Sequence, residues 1–290
     1  MLRKTVFVPI TRRDQNENAL LFGLWLARVF HGHMDAVYIQ SHDIDIPFDI
    51  DASMAEKILA EADEKSAEAA KSARENFDAQ LRDAGISYQS EASSNNSASA
   101  SWKQVKGDEQ EVIAQKGCLY DLVVANRPNQ GCEPFGGALV KSAIFNTHRP
   151  ILVTPPCFKD VYCDTQIENW NVLVGWNSTV YAANAIANAM PLLERVKSVE
   201  LLNVQTGAKK GASVQEAAYQ LRLRGIEVSV KEVAPDSRSV GQILLAEAME
   251  FGASLLIMGA YSHNRMKEFV LGGVTRHILD QAEIPVLMSH

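Results

Sequence analysis

The sequence predicts an α/β protein made of two repeated five-stranded parallel-sheet domains, with helices on both faces of each sheet. Short apolar runs alternate with longer helical segments along the 290 residues, which is the pattern of right-handed βαβ crossovers in parallel sheets. The same order of segments then occurs a second time. Each half also ends in a short apolar strand introduced by a proline, Pro150 in the first half and Pro285 in the second.

The repeat can be followed segment by segment. Each half opens with a strand, an apolar helix and a second strand, and later carries a helix that runs into a buried strand. The matched segments are 5–10 with 171–176, 17–30 with 181–193, 34–39 with 198–204, 111–125 with 244–258, and 149–154 with 284–289. The predicted domains are therefore residues 1–156 and 168–290, joined by a linker that starts at Pro155 and Pro156.

The first half is the larger one. It carries an additional long helix, predicted over residues 54–84 and rich in Ala, Glu and Lys, followed by a polar tract over 89–101 and a strand over 102–105. The helix has charges of alternating sign beside an Ala and Leu face. We expect a solvated helix that covers the sheet, and the alternative is a helix that docks a partner.

Composition narrows the range of functions. The net charge of −7 argues against nucleic-acid binding, which depends on Lys and Arg. No apolar segment is long enough to span a bilayer, and the N-terminal apolar run is followed at once by Arg12, Arg13 and Asp14, unlike a signal peptide. We therefore expect a cytoplasmic protein without membrane or nucleic-acid partners.

The cysteines predict no metal site. The four cysteines contain no CxxC pair, so we expect free thiols in a reducing compartment. A redox or metal pair at Cys157 and Cys163 is the alternative. The cysteines are Cys118, Cys132, Cys157 and Cys163.

The most specific signal for function lies near the C-terminus. An apolar strand over 255–258 ends at Gly259, a polar and basic loop follows, and Gly272 and Gly273 precede a predicted helix over 274–282. Bare backbone N–H groups and the positive end of a helix dipole favour phosphate at such a place. The alternative is a glycine-terminated strand and a glycine helix cap with no ligand.

These residues and the repeat resemble the tandem universal stress proteins, and the resemblance covers essentially the whole chain. It implies an adenine nucleotide alpha hydrolase-like, Rossmann-like fold. Members of that family that bind ATP carry the motif G-x2-G-x9-G-(S/T) after the fourth strand. Gly259 and Gly272 match its first and third positions, whereas Ser262 and Gly273 replace the second glycine and the Ser or Thr.

The resemblance implies a binding site for ATP or a related adenine nucleotide, with Mg, in the second half. Asn177 stands near the position of an acid that contacts adenine or ribose in relatives, and Thr275 offers a hydroxyl in place of the one missing at Gly273. Alternatively, Trp176 packs under a neighbouring loop rather than stacking on a base, and Asn177 or Ser178 caps the following helix. The implied site residues are Gly175, Trp176, Asn177, Ser178, Val204, Met258, Gly259, Ser262, His263, Arg265, Gly272, Gly273, Val274 and Thr275.

The first half does not keep the motif. Asn126 stands at the position that corresponds to Gly259, and Pro128 stiffens the loop and lacks an N–H group. The pair Gly136 and Gly137 is a partial match to the paired glycines. We expect a degenerate half with a structural or partner-facing role, in which Arg127 and the glycines remain candidates for another anion.

No sequence motif supports catalysis. The chain lacks a G-x-S-x-G elbow, an HExxH motif, a Walker lysine motif and paired His or Cys ligands. The resemblance implies a non-catalytic stress-response factor that binds an adenine nucleotide and forms a homodimer, and the absence of these motifs agrees with it. The alternative is a nucleotide-free interaction protein, and an ATP-hydrolysing enzyme ranks last. The final strands, 151–154 and 286–289, are the candidate edges for pairing of the two domains.

Overall fold

The computed structural model describes residues 4–12, 17–41, 51–90, 97–127, 138–155, 166–207, 211–260 and 272–290. Backbone contacts divide the chain into two compact units, Met1–Val124 and Ala125–His290. The predicted fold class is confirmed, because both units contain mostly parallel sheets with helices packed on them.

The first unit orders its strands β3-β4-β2-β1-β5, and every described pairing is parallel. Residues 6–10 form an apolar, buried run in one of its interior strands, as expected for a strand covered on both faces. The strands are β1 (Thr5–Thr11), β2 (His33–Gln40), β3 (Ser87–Tyr88), β4 (Ser99–Lys106) and β5 (Leu122–Asn126). The helices are α1 (Asn18–Val29), α2 (Ala52–Asp83) and α3 (Glu109–Gly117).

Helix α2 covers the sheet along only part of its length. Asp51 caps it by accepting a hydrogen bond from the Met54 N–H at 2.9 Å. The described side chains up to residue 65 are exposed or half-buried, and the buried face begins at Ser66 and continues through Ala70 and Phe77. The expectation of a helix that covers the sheet is therefore correct for its second half.

The second unit orders its strands β6-β11-β10-β7-β8-β9. The strands are β6 (Ile151–Thr154), β7 (Asn171–Gly175), β8 (Ser198–Val204), β9 (Val228–Val233), β10 (Leu255–Gly259) and β11 (Val286–Ser289). The helices are α4 (Ala138–Asn146), α5 (Val180–Leu193), α6 (Val214–Arg222), α7 (Val240–Phe251) and α8 (Gly273–Gln281), and a short 3-10 turn spans Ile167–Asn169.

Strand β6 is the exception to the parallel order of the second unit. It pairs antiparallel with β11, and Leu152 lies opposite Leu287, which confirms that the two strands introduced by proline pair with each other. This pairing places β6 with the second unit, so the contact boundary falls after Val124. The bounds 1–156 and 168–290 describe the sequence repeat rather than contacts, and they stay a prediction.

Two sequence expectations concern features outside these sheets. In the described part of the chain, no helix is both long and apolar enough to cross a membrane. Cys118 is a half-buried thiol that donates to the Gln115 carbonyl at 3.3 Å. The other three cysteines lie outside the described residues.

Candidate functional site

Three of the predicted site residues meet at the carboxyl edge of the parallel strands in the second unit. Gly175 ends β7, Val204 ends β8 and Gly259 ends β10. Met258 lies beside Gly175, which in turn lies beside Leu202. Ligands of open α/β sheets bind at this edge, so the fold places these residues where a ligand site is expected.

Gly259 is required by packing. A Cβ atom at this position would lie 2.7 Å from the Ala182 nitrogen and 2.7 Å from the Tyr181 carbonyl carbon. These backbone atoms belong to the first turn of α5, which cannot rotate away as a side chain can. The glycine therefore allows α5 to approach the end of β10, and this contact accounts for it without a ligand.

Trp176 packs beneath the loop that follows β8. Its side chain is buried, and the indole Nε1 donates to the Ala212 carbonyl at 3.2 Å. Its backbone N–H donates to the Leu202 carbonyl at 2.8 Å. The indole is thus held in the interior, as in the alternative considered from the sequence, rather than presented to a base.

The cap of α5 is Thr179, not Asn177 or Ser178. The Thr179 Oγ1 accepts from the Ala182 N–H at 3.3 Å and donates to the Asn177 Oδ1 at 2.7 Å. Three consecutive residues of cap-forming type precede this helix, so the sequence alone cannot choose among them. Asn177 is left exposed at the sheet edge.

Ser178 has an unusual environment. Its backbone is left-handed, with φ 59°, and its side chain is buried with 6% exposure. Its Oγ has no hydrogen-bond partner within the described part of the structure. Gly211 lies close to the Ser178 backbone, since a Cβ at position 211 would lie 2.1 Å from the Ser178 carbonyl oxygen. A buried hydroxyl without a partner is unfavourable, so a polar ligand atom would be stabilising here.

The N-terminus of α8 carries no side-chain cap. Gly272 is its N-cap residue, with φ −59° and ψ 147°, and no described side chain accepts a hydrogen bond there. Side chains cap α2, α3, α5, α6 and α7, whereas α1, like α8, has no side-chain cap among the described residues. Gly272 and Gly273 are exposed, and no described atom lies within 4 Å of a Cβ built on either. The first-turn N–H groups have no partner within a helix, and among the described residues no side chain caps them.

The remaining predicted residues differ in their accessibility. Met258 and Thr275 are 5% and 3% exposed, so their side chains belong to the packed interior. The Val274 side chain is half-buried. The Val204 carbonyl, expected to contact a base, instead accepts a hydrogen bond from the Thr206 N–H at 3.0 Å. Ser262, His263 and Arg265 lie outside the described residues.

Arg127, a candidate for binding an anion, and His277 both have structural contacts. Arg127 donates from Nη1 to the Ala282 carbonyl at 2.7 Å, at the C-terminal end of α8, where a cation is favourable. The imidazole of His277 lies against Gly241, where a Cβ would be 2.8 Å from the ring. The candidate glycines at 136 and 137 lie outside the described residues.

The first unit contains a buried charge cluster that the sequence reasoning missed. Asp35 accepts from Lys103 Nζ at 2.6 Å, from the Tyr120 hydroxyl at 2.5 Å and from the Ser101 hydroxyl, and His33 Nε2 lies 3.1 Å away. Burial alone would raise the pKa of the Asp35 carboxyl. The hydrogen bonds, His33 first, instead hold that pKa well below its usual range.

This cluster is not placed for catalysis. His33 Nδ1 also lies 2.8 Å from the Ser99 Oγ, which superficially resembles a Ser-His-Asp arrangement. However, Ser99 is 1% exposed, and His33 and Ser99 are the first residues of β2 and β4. They therefore lie at the amino edge of the sheet, opposite the edge at which ligands bind. Burial and the carboxylate together also raise the pKa of Tyr120.

Comparison with protein families decides the identity of the second half. The model of the universal stress protein family matches residues 171–290. Residues 171–290 form a universal stress protein domain. The match begins at the first residue of β7, so the family domain contains β7 to β11 and the candidate site.

Solved structures extend the similarity of fold beyond this universal stress protein domain. A universal stress protein from Archaeoglobus fulgidus superposes with a TM-score of 0.67 at 15% identity, covering 100% of this chain and 99% of its own. A functionally unknown protein from Pseudomonas aeruginosa has a TM-score of 0.54 at 14% identity, covering 99% and 92%. No curated protein sequence matches the chain. At these identities the similarity outside the universal stress protein domain concerns the fold alone.

Proposed function

We propose that this protein is a non-catalytic stress-response factor whose universal stress protein domain binds ATP or a related adenine nucleotide, with Mg. The observation that carries the proposal is the start of α8, which no described side chain caps and where no described atom lies within 4 Å of a Cβ built on Gly272 or Gly273. Such a helix start attracts phosphate through its N–H groups and its dipole. We further propose domain bounds of 1–156 and 168–290, a cytoplasmic location and a homodimer.

The neighbouring residues support an anionic ligand with further polar groups. Ser178 offers a buried hydroxyl that lacks a partner among the described residues, and Asn177 offers an exposed amide at the same sheet edge. Val204 adds a half-buried apolar side chain at the end of β8. A phosphate at α8 with a ribose or base towards Asn177 uses these groups without requiring Trp176 to leave its packed position.

A second candidate function is a nucleotide-free interaction protein. The observation that favours it is the packing of Gly259 against α5, which explains the first motif glycine without any ligand. The two candidates are separated by denaturing the purified protein and assaying for released adenine nucleotide, together with thermal melting in the presence and absence of ATP and Mg. Empty protein with an unchanged melting temperature would eliminate the nucleotide proposal.

We expect Gly272→Asp to abolish nucleotide binding while the fold is retained. Aspartate is a favoured N-cap residue, so its carboxylate should accept from the first-turn N–H groups of α8 and place a negative charge where phosphate would lie. The affinity for ATP should fall at least tenfold, which corresponds to about 1.4 kcal/mol or more. The measurement is ATP titration calorimetry, with the melting temperature of the free protein as the readout for folding.

The matched control is Gln220→Glu, which adds the same charge at an exposed position of α6. It should leave ATP affinity unchanged. Equal affinity of Gly272→Asp and the unmodified protein would show that α8 does not bind the phosphate.

A further inference from the structure

The first part of α2 extends beyond the sheet that its second part covers. Helix α2 is 32 residues long, and its buried face begins only at Ser66. We call residues 51–65 the acidic arm. Except at three positions whose side chains are not described, every side chain of the arm is exposed or half-buried. Packing against the sheet therefore does not account for the sequence of the arm.

The acidic arm presents apolar side chains to solvent. Met54 is 53% exposed and Leu59 is 42% exposed, and Ile58 is half-buried. At about 100° per residue these three positions lie within an arc of about 140°, the width of the apolar face of an amphipathic helix. The arm thus has an apolar face without having a core to pack against.

The charges beside this face are mostly negative. Residues 51–65 contain five acidic residues against two lysines, a net charge of −3. Glu56 and Glu61 are exposed, and helical geometry places them on opposite sides of the apolar arc. An occupant of the face must therefore bring apolar groups together with positive charge.

Charge argues against two occupants from this chain itself, a second copy of the arm and the segment that precedes it. A second copy carries the same acidic arm and a total charge of −7, so two arms repel. The segment 42–50, which precedes α2 in sequence, contains Asp43, Asp45 and Asp49 and no Lys or Arg. Like charges at an interface are unfavourable and suppress the wrong partner.

We propose that the acidic arm is a docking site for a basic amphipathic helix of another protein. The apolar side of that helix would cover Met54, Ile58 and Leu59, and its Lys or Arg side chains would meet Glu56 and Glu61. Helix-on-helix recognition of this type uses apolar anchors at i, i+3, i+4 and i+7. The complementary charges provide orientation and steering. This inference is independent of nucleotide binding in the second unit.

A defined peptide tests the proposal on the full chain. The probe is a synthetic peptide of Leu and Lys with its leucines at i, i+3, i+4 and i+7, compared with a peptide of the same composition whose leucines are distributed around the helix. We expect the amphipathic peptide to bind at least tenfold more tightly than the peptide with distributed leucines. Its affinity should be lower at high salt than at low salt. Hydrogen exchange should show new protection of amides in residues 52–65.

Surface variants locate the contact. The double variant Met54→Ser, Leu59→Ser should weaken peptide binding at least tenfold, whereas Met249→Ser, at an apolar position that is 82% exposed on α7, should not change it. Equal binding of the two peptides, protection outside the arm, or full binding by the double variant would overturn the proposal. The proposal would also be overturned if sedimentation showed that the chain self-associates and that the double variant abolishes this self-association.

Discussion

Replacing Asp35 by alanine is expected to lower the free energy of unfolding of the first unit by about 3 kcal/mol. The carboxylate is 4% exposed and accepts from Lys103, Tyr120 and Ser101. Its removal leaves two hydroxyl groups and an ammonium group without their acceptor, and unpaired buried polar groups are unfavourable. We place the effect at the lower end for buried ion pairs because the Lys103 side chain is 50% exposed and regains hydration.

The measurement is urea unfolding, with hydrogen exchange of the β2 amides to assign the transition to the first unit. Asp35→Asn keeps one acceptor oxygen and should lose less stability than Asp35→Ala. The matched control is Glu75→Gln, which removes a carboxylate from an exposed i,i+4 pair with Lys71. Such pairs contribute less than about 0.5 kcal/mol. Equal losses for the alanine variant and the control would show that the cluster does not stabilise the fold.

The same cluster predicts acid sensitivity. The folded protein holds the pKa of Asp35 below its usual range, so the folded state binds this proton less readily than the unfolded chain, in which an aspartate titrates near about 4. The stabilisation is fully present well above the unfolded pKa and is lost progressively as the pH falls through that value towards the lower folded pKa. Unfolding free energies measured between pH 3 and pH 7 should therefore fall more steeply towards acid in the unmodified protein than in Asp35→Asn.

Gly259→Ala is expected to destabilise the second unit by about 2–3 kcal/mol. The new Cβ would lie 2.7 Å from backbone atoms of Tyr181 and Ala182, well inside van der Waals contact. Relief requires β10 or the first turn of α5 to move, and these two elements pack against each other. The readout is the urea midpoint of the transition that exposes Trp176. Tryptophan fluorescence monitors this transition.

The control lies in the same motif. Gly272→Ala places its Cβ where no described atom lies within 4 Å, at a φ of −59° that any residue adopts. Its stability loss should stay below about 1 kcal/mol, since alanine is only a poorer N-cap than glycine. If both alanine variants were equally stable, the motif spacing would reflect the ligand alone rather than packing at Gly259.

Much of the fold follows from local sequence patterns. Apolar runs such as 255–258, bounded by glycine and proline, predict buried strands because their composition suits parallel sheets. The repeated order of strands and helices predicts parallel sheets with right-handed crossovers, because βαβ connections have one favoured hand. The strands introduced by Pro150 and Pro285 were also predicted to pair, and they do.

The candidate site was only partly predictable. The sequence predicted the position of Gly272 and Gly273 at the start of α8, because this position depends on neighbours close in sequence. It could not select Thr179 as the cap of α5, because Asn177 and Ser178 are equally suited by type. The buried Ser178 hydroxyl has no partner among the described residues, and Gly211, a residue from another loop, lies close to the Ser178 backbone. No local pattern records such an approach.

The sequence by itself determined the order of strands and helices, the repeated α/β plan and the place of the glycine motif, because these depend on periodicity and on residues that are close along the chain. Only the tertiary structure decided what individual residues do there. It assigned Gly259 to the packing of α5, Asp35 to a buried cluster drawn from three separate segments, and the first part of α2 to solvent. The physical reason is that packing, burial and charge pairing depend on residues brought together from distant parts of the chain.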